Sequence, residues 1–186
     1  MGFALAEACA ERGAEVTLVA GPVSLKTHHP AIKRIDVESA GEMYQAAMTA
    51  FPSSDAAILC AAVADYRPEN ASEQKIKRET EREMTLHLVP NPDIAASLGA
   101  IKREGQVMVG SALETNDEAT HAEGKLKRKN LDFIVLNSLR DQGAGFRCDT
   151  NKITIIDNAG GVTSYPLKTK REVACDIVNK LVTLLK

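Results

Sequence analysis

The sequence lacks the short motifs by which many enzymes are recognised. It contains no G-x-S-x-G nucleophile motif, no G-x-G-x-x-G dinucleotide fingerprint and no P-loop. Its four cysteines (Cys9, Cys60, Cys148 and Cys175) are widely spaced and form no C-x-x-C pair. This spacing supports neither a zinc site nor a disulfide framework. We therefore expect reduced thiols in a cytoplasmic protein, and no metal site built from its side chains.

A strong excess of one charge and long apolar stretches are also missing. The formal net charge is -2, whereas a general nucleic-acid binder needs a basic surface. No apolar run approaches the roughly 20 residues of a membrane-spanning helix. The N-terminus has no basic region followed by an apolar core and a cleavage site, so we expect no secretory signal. We predict neither a nucleic-acid partner nor a membrane partner.

The chain does contain enough apolar sequence for one α/β domain. Its 186 residues are 44% hydrophobic, which can supply a core. Residues 2–12 have helical apolar spacing and are followed by the strand-like EVTLVAGP, and strands and helices then alternate. This pattern predicts a Rossmann-like parallel sheet flanked by helices, with right-handed crossovers. We expect a single domain over residues 1–186 that lacks the usual first strand and glycine-containing phosphate turn.

Local signals place further elements on this framework. Ser39 with Glu42 and Thr169 with Glu172 are capping boxes that predict two helix starts. The turn at 158–161, NAGG, predicts a C-terminal hairpin before the last helix. Residues 74–78 and 84–89 alternate polar and apolar side chains, which predicts a protruding antiparallel arm. Because an uncovered ribbon is marginal alone, we expect this 74–89 arm to form a homodimer.

The stretch from Asp55 to Pro92 carries the first functional signal. An apolar run suited to a buried strand stops abruptly at Asp65, and the basic cluster Lys75, Lys77 and Arg78 follows. In open α/β sheets ligands bind at the carboxyl ends of the strands. The pattern therefore indicates an anionic, hydroxyl-bearing ligand such as a nucleotide. An ordinary strand followed by a solvated charged loop is the alternative.

Two helix termini provide a second signal. Asn91, Pro92 and Asp93 predict a helix start with an N-cap, and the first backbone amides could hold an anion. Lys125 and Lys129 are four residues apart, so they share a helix face and could clamp phosphates. They could equally complement the negative end of the helix dipole without a ligand.

Catalysis by a protein nucleophile is not favoured by the residues available. The four histidines (His28, His29, His87 and His121) show no metal spacing, and each is more simply a structural or solvated residue. The chain offers lysines and backbone amides instead. This inventory suits a reaction in which the substrates carry the nucleophile and the protein stabilises phosphate charge.

Several segments together resemble one enzyme family. They are, in order, MGFALAEACAERGAEVTLVAGP, CAAVADYRPEN with KIKR, VPNPDI, VGSALETN and KLKRKNLDFIVLN. Across nearly the whole chain they resemble phosphopantothenate-cysteine ligase, also called phosphopantothenoylcysteine synthetase, of coenzyme A biosynthesis. The resemblance implies that the carboxylate of 4'-phosphopantothenate attacks CTP, with Mg2+, to give an acyl-cytidylate. The cysteine amine then displaces CMP.

The resemblance also implies roles for individual residues. Lys75 would be the catalytic lysine, near the reacting acyl phosphate. The nucleotide would be bound by Ala61, Asp65, Pro92, Asp93, Ile94, Ala95, Ser111, Lys125 and Lys129. Ser111 stands where bacterial relatives commonly have phenylalanine in one wall of the cytosine pocket, and Arg78 stands in place of a lysine. The family segment that precedes the first helix is absent from the sequence.

The same resemblance bears on cofactors and partners. Some members of the family use ATP instead of CTP, and many are fused to a flavin-dependent decarboxylase. We therefore expect no flavin in this chain, and a decarboxylase as a fused domain or a separate protein. Two alternatives to the ligase are a nucleotide-binding, dimerising domain without catalysis and a nicotinamide-dependent oxidoreductase. The second is disfavoured because the chain has no glycine fingerprint and no Tyr-Lys pair at helical spacing.

Overall fold

A computed structural model describes residues 1–72, 74–76, 84–114, 118–138 and 149–185 of the chain. The helices are α1 (Gly2–Ala10), α2 (Ala40–Ala50), α3 (Ile94–Ile101), α4 (Glu118–Arg128) and α5 (Lys170–Leu184). The strands are β1 (Val16–Ala20), β2 (Ile32–Asp36), β3 (Ala56–Leu59), β4 (Tyr66–Pro68), β5 (Leu88–Pro90), β6 (Val107–Glu114), β7 (Phe133–Ser138), β8 (Thr150–Asn151), β9 (Ile153–Asp157), β10 (Val162–Ser164) and β11 (Lys168–Thr169).

The main sheet has the strand order β10-β9-β7-β6-β3. Strands β3, β6 and β7 are parallel, and β9 and β10 add the predicted C-terminal hairpin in antiparallel orientation. Helices cover both faces of this sheet. These features confirm the predicted fold class, an α/β domain whose central sheet is dominated by parallel strands.

Strands β1 and β2 form a separate parallel pair. Among the described strands, none pairs with the outer edge of β3 or with the second edge of β1. The side chains of β3 face both sides of the sheet, yet each remains partly exposed. Because no described strand pairs with the outer edge of β3, that edge stays open to solvent even though helices cover both faces of the sheet.

Each face of the main sheet packs against its own set of helices. On one face Val109 and Phe133 lie in a cluster with Leu5 of α1 and Ile177 of α5. On the other face a second cluster joins β6 and β7 to α3 and α4; its buried members include Met108, Ile134, Leu98 and Leu126. The alternation of side chains along β6 and β7 therefore divides the core into two halves.

The predicted helix starts at Ser39 and Thr169 are confirmed. Thr169 and Glu172 form a reciprocal capping box, with the Thr169 N–H donating to the Glu172 carboxylate at 2.9 Å. At the other start, the Ser39 hydroxyl accepts from the Glu42 N–H at 3.2 Å, but the Glu42 carboxylate accepts from Glu38. In this second capping box, the Glu42 carboxylate therefore accepts from the N–H of Glu38, the residue before the N-cap, and not from that of Ser39.

The predicted arm requires a correction. Residues 77–83 lie outside the described residues, and residues 74–76 and 84–87 are not strands. The strand that pairs with β5 is β4, with Arg67 opposite Val89. The Glu69 N–H extends this ladder by donating to the His87 carbonyl at 2.9 Å. The alternation of polar and apolar residues in 74–78 predicted the wrong pairing partner for β5, because a short alternating segment does not specify which strand it pairs with.

Close packing at Gly99 gives a test of how α3 is held against the end of α4. A Cβ atom at Gly99 would collide with the Lys129 carbonyl, whereas a Cβ at Gly124 on α4 would meet nothing. We expect Gly99→Ala to destabilise the fold by about 1–3 kcal/mol through overpacking. The matched control Gly124→Ala should stabilise it by about 0.5–1 kcal/mol, because alanine is the better helix former. Urea denaturation measures both, and equal effects would contradict the packing described.

Candidate functional site

The loop after β3 is tied to the start of α3 by one residue, Asn91. Its side-chain amide donates to the Ala64 carbonyl at 2.8 Å, and its backbone N–H donates to the Asp65 carbonyl at 2.8 Å. Asn91 is only partly exposed. The loop that contains Ala61 and Asp65 is therefore held beside the helix start predicted to contact the same ligand.

Arg67 strengthens this connection from β4. Its guanidinium donates to the Pro90 carbonyl at 2.8 Å and to the Asn91 side-chain oxygen at 3.1 Å. Both ends of the Asn91 amide are thus engaged. Sequence reasoning assigned no site role to Arg67, and nothing in its sequence context distinguishes it from an ordinary exposed arginine.

The helix start itself differs from the sequence interpretation in one respect. The N-cap of α3 is Asp93, whose carboxylate accepts from the Ala96 N–H at 3.0 Å, and the helix begins at Ile94. Asn91 and Pro92 precede the helix. Asn91 is a favoured capping residue by type, but its side chain is already engaged with Ala64 and Arg67.

Lys129, the residue after α4, reaches this helix start. Its Nζ lies 3.0 Å from a carboxylate oxygen of Asp93, and the two side chains are 22% and 47% exposed. Lys125, one turn earlier on α4, is also partly buried. Two predicted nucleotide-binding positions that are far apart in sequence, Asp93 and Lys129, are therefore in contact.

This ion pair stabilises the ionised form of Asp93. Partial burial by itself raises the pKa of the Asp93 carboxyl group. The hydrogen bond from the Ala96 N–H and the interaction with Lys129 outweigh burial, so the pKa of Asp93 lies below its usual value. Asp93 is consequently ionised at neutral pH and holds Lys129 at the amino end of α3.

Lys75 occupies a different position. It lies between β4 and β5, outside any described helix or strand, and its side chain is exposed. Within the described residues, no hydrogen bond or ion pair joins it to Asp93 or Lys129. The catalytic role suggested for Lys75 stays a prediction.

Ser111 lies on the other side of the sheet. Along β6, Val107, Val109 and Ser111 point to the face covered by α1 and α5, opposite to the face of α3 and α4. At the carboxyl edge of this face Ser111 lines a cavity together with Cys60, Asn137 and Asn151. Sequence reasoning did not single out Asn137, Asn151 or Cys60 as site residues. Counting alternate positions along the strands would have grouped Cys60, Ser111 and Asn137.

The site thus has two sides that meet at the carboxyl edge of the sheet. One side has the amino end of α3, where Asp93 accepts from the Ala96 N–H, and Lys129, which pairs with the same carboxylate. The other is a small cavity whose lining includes Met1, Cys60 and Ser111. In the described part of the chain, no three His, Cys, Asp or Glu side chains lie close enough to hold a metal ion. None of the helices described is both long and apolar enough to cross a membrane.

Comparison with protein families gives a match over residues 1–185 to the DNA/pantothenate metabolism flavoprotein C-terminal domain. The chain is 56% identical over 185 residues to a protein named cysteine/cysteine sulfinic acid decarboxylase from an unknown prokaryotic organism, covering 100% of the chain and 51% of that protein. It is 45% identical over 186 residues to the coenzyme A biosynthesis bifunctional protein CoaBC of Vibrio parahaemolyticus, covering 100% and 46%. The chain spans about half the length of the curated relatives it matches.

A solved structure agrees with these relatives. The crystal structure of the C-terminal domain of the coenzyme A biosynthesis bifunctional protein CoaBC superposes with a TM-score of 0.82 at 33% identity. The match covers 99% of this chain and 81% of that one. The similarity therefore extends over the sheet and both helical layers.

The Asp93–Lys129 pair gives a testable pH effect. In Lys129→Met the pKa of Asp93 should rise, because the lysine no longer stabilises the carboxylate; carbon-detected NMR titration of the Asp93 carboxyl measures this. A lowered native pKa stabilises the fold above the unfolded-state pKa, and this contribution is lost as pH falls through the native pKa. As the pH is lowered through the pKa of Asp93, the free energy of unfolding of Lys129→Met should therefore fall less than that of the unaltered protein. Lys127→Met, at an exposed position on α4, is the control; an unchanged pKa in Lys129→Met would contradict the assignment.

Proposed function

The chain belongs to the family of the DNA/pantothenate metabolism flavoprotein C-terminal domain, and on that basis we propose that it joins cysteine to 4'-phosphopantothenate in coenzyme A biosynthesis. In this proposal it is the synthetase domain, with CTP as the activating nucleotide. A flavin-dependent decarboxylase would be a fused domain or a separate protein, and the site of action would be the cytoplasm. The relatives named as bifunctional coenzyme A biosynthesis proteins support the assignment.

The first half-reaction activates the carboxylate of 4'-phosphopantothenate. A carboxylate oxygen attacks the α-phosphorus of CTP, an O–P bond forms, and pyrophosphate leaves with the electron pair of the broken P–O bond. The amino end of α3, from Ile94 onward, presents backbone N–H groups that can bind phosphate or a base edge. Lys129 and Lys125 supply positive charge beside it.

The second half-reaction forms the amide. The uncharged amine of cysteine attacks the acyl carbon, a C–N bond forms, and the C–O bond to the nucleotide breaks. CMP leaves with the electron pair and the amine proton passes to solvent. Lys75 would stabilise the negative charge that develops on the acyl phosphate, a form of electrostatic stabilisation that needs no protein nucleophile.

Mg2+ would arrive with the triphosphate. The described residues offer no cluster of three His, Cys, Asp or Glu ligands, which fits a cation bound through phosphate oxygens and water better than a protein-built metal cage. Bound there, the cation would neutralise phosphate charge during attack on the α-phosphorus.

The observation that carries the nucleotide assignment is the contact between Asp93 and Lys129 beside the loop held by Asn91. These elements come from three separate parts of the sequence: the loop after β3, the start of α3 and the end of α4. Their convergence at the carboxyl edge is the arrangement that an open α/β sheet uses for nucleotides. CTP binding without pyrophosphate release would favour the alternative of a nucleotide-binding domain without catalysis.

We also propose a homodimer formed through the 74–89 arm. Large apolar side chains are exposed there: Ile76 is 61% exposed, Met84 62%, Leu86 59% and Leu88 51%. Tyr66 on the paired strand β4 is 62% exposed. A concentration of exposed apolar side chains in and beside one short ribbon, β4 with β5, is typical of an interaction surface.

The catalytic role of Lys75 is tested by Lys75→Gln, which keeps the side-chain stem and removes the charge. We expect the rate of CTP-dependent amide formation to fall by about 10²–10³-fold or more, while the thermal unfolding midpoint stays unchanged because the side chain is exposed. Lys33→Gln, at an exposed position on β2, is the control. Amide formation is followed by mass spectrometry and pyrophosphate release by a coupled assay, with CTP and ATP compared.

Two outcomes of that experiment would contradict the proposal. Wild-type activity in Lys75→Gln would remove the lysine from the mechanism. Failure of the unaltered protein to release pyrophosphate with either nucleotide, in the presence of 4'-phosphopantothenate, would remove the ligase assignment.

The dimer is tested by Leu86→Asp, which places a charge among the exposed apolar side chains of the arm. We expect the molar mass measured by light scattering to halve, since an unpaired carboxylate is unfavourable in an interface. Val162→Asp is the control, because Val162 is 63% exposed but lies in the C-terminal hairpin. A monomeric unaltered protein at high concentration would rule out the dimer.

A further inference from the structure

Helix α4 ends in a left-handed turn at Asn130. Among the described residues, Asn130 is the one residue other than glycine with a positive φ, 51°. The Leu131 N–H donates to the Leu126 carbonyl at 3.0 Å, and the Asn130 N–H donates to the Lys127 carbonyl at 3.4 Å. These two bonds form a Schellman motif in which Lys129 is the C-cap. The backbone position of Lys129 therefore depends on this turn.

The side chain of Asn130 contacts the neighbouring helix. Glycine is the usual residue at this position of a Schellman motif, because it adopts a positive φ without strain, and asparagine is the common substitute. The Asn130 Nδ2 donates to the Gly99 carbonyl of α3 at 3.0 Å. Gly99 lies in the last turn of α3, where carbonyl groups have no partner within the helix. Asparagine thus supplies a bond to α3 that glycine would lack.

Two further contacts hold the segment after α4 against the carboxyl end of α3. The Nζ of Lys102, the residue after α3, donates to the Asn130 carbonyl at 3.2 Å and lies 2.6 Å from a carboxylate oxygen of Asp132. The Lys129 carbonyl packs so closely on Gly99 that a Cβ there would collide with it. The carboxyl end of α3 and the segment after α4 are therefore packed as one unit.

Lys129 joins the two ends of α3. Its backbone lies at Gly99, whereas its Nζ lies 3.0 Å from the Asp93 carboxylate at the amino end of the helix. Gly99 and Asp93 are six positions apart, which is about 9 Å along a helix axis. The Lys129 side chain covers this distance, so the position of its backbone on α3 decides whether Nζ reaches Asp93.

We propose that Asn130 is a positioning residue for Lys129. By donating to the Gly99 carbonyl, Asn130 fixes the backbone of Lys129 on α3 and so keeps Nζ at Asp93, beside the predicted nucleotide site. Asn130 acts through Lys129 and does not itself contact the nucleotide. The inference rests on the proposed ligase function only for its effect on nucleotide affinity, because the contact between Lys129 and Asp93 can be measured without any substrate.

A role of Asn130 in the turn alone makes a different prediction. If asparagine served only to adopt the left-handed conformation, glycine would replace it without loss, because glycine adopts that conformation more readily. Asn130→Gly keeps the turn and removes the bond to Gly99. We expect this variant to fold, with a thermal unfolding midpoint close to that of the unaltered protein, so that an effect on Lys129 is separable from an effect on stability.

The first measurement is the pKa of the Asp93 carboxyl group, followed by carbon-detected NMR in the whole chain. Burial raises this pKa, whereas the Ala96 N–H and Lys129 lower it. We expect the pKa to rise in Asn130→Gly, because Lys129 is held less closely to Asp93. The matched control Asn158→Gly, in the exposed turn of the C-terminal hairpin, should leave it unchanged. An unchanged pKa in Asn130→Gly would overturn the proposal.

A double-mutant cycle shows whether Asn130 acts through the lysine. In the Lys129→Met background, adding Asn130→Gly should raise the pKa of Asp93 no further, because the group that Asn130 positions is already gone. An equal rise with and without Lys129 would mean that Asn130 influences Asp93 by another route, and the proposal would be wrong.

The second measurement is nucleotide affinity. We expect Asn130→Gly to raise the Kd and the KM for CTP about three- to tenfold, the usual effect of losing one hydrogen bond, and to leave the KM for cysteine unchanged. An unchanged affinity for CTP would overturn the role at the nucleotide site. If the pKa of Asp93 responds as expected but the unaltered protein does not bind CTP, the positioning role stands and the proposed function fails.

Discussion

The arrangement depends on the parallel pairing of β6 with β3 on one side and with β7 on the other. In this register Val109 lies between Ile58 and Phe133, and all three point to the face of α1 and α5. The residues between them point to the face of α3 and α4. Each face is closed by helices, so a shift of one residue would move an apolar stripe from one core into the other. The same alternation decides which side chains appear on each side of the carboxyl edge.

The side of the site proposed for the nucleotide depends on polar contacts and not on core packing. Asn91 links the backbone after β3 to the residue before α3, and Arg67 engages the opposite end of the same amide. Asp93 then caps the helix and holds Lys129. The contacts of Asn91 with Ala64 and Arg67, and of Asp93 with Lys129, join residues separated by 24 to 36 positions in the sequence.

Several elements could be predicted because their signals are local. The capping box at Thr169, the hairpin around 158–161 and the alternating strands and helices each depend on residues within a few positions of one another. Other elements could not. The strand that pairs with β5 is β4, not the predicted segment at 74–78. The residue that caps α3 is Asp93, whereas Asn91 holds the loop after β3. In the first case two segments had similar strand propensity, and in the second two residues had similar helix-capping propensity. Contacts distant in sequence decided between them.

The sequence alone was sufficient to indicate an α/β fold, the carboxyl edge as the site and the family that its motifs resemble, because apolar periodicity and motif order are properties of the chain itself. It also supplied the candidate residues Asp65, Lys75, Asp93 and Lys129. Only the tertiary structure decided that Asp93 and Lys129 are in contact, that Asn91 holds the loop beside them, and that Ser111 lines a cavity with Asn137 and Asn151. The physical reason is that a side chain's partner is set by how helices and strands pack, and packing joins residues that are distant in sequence.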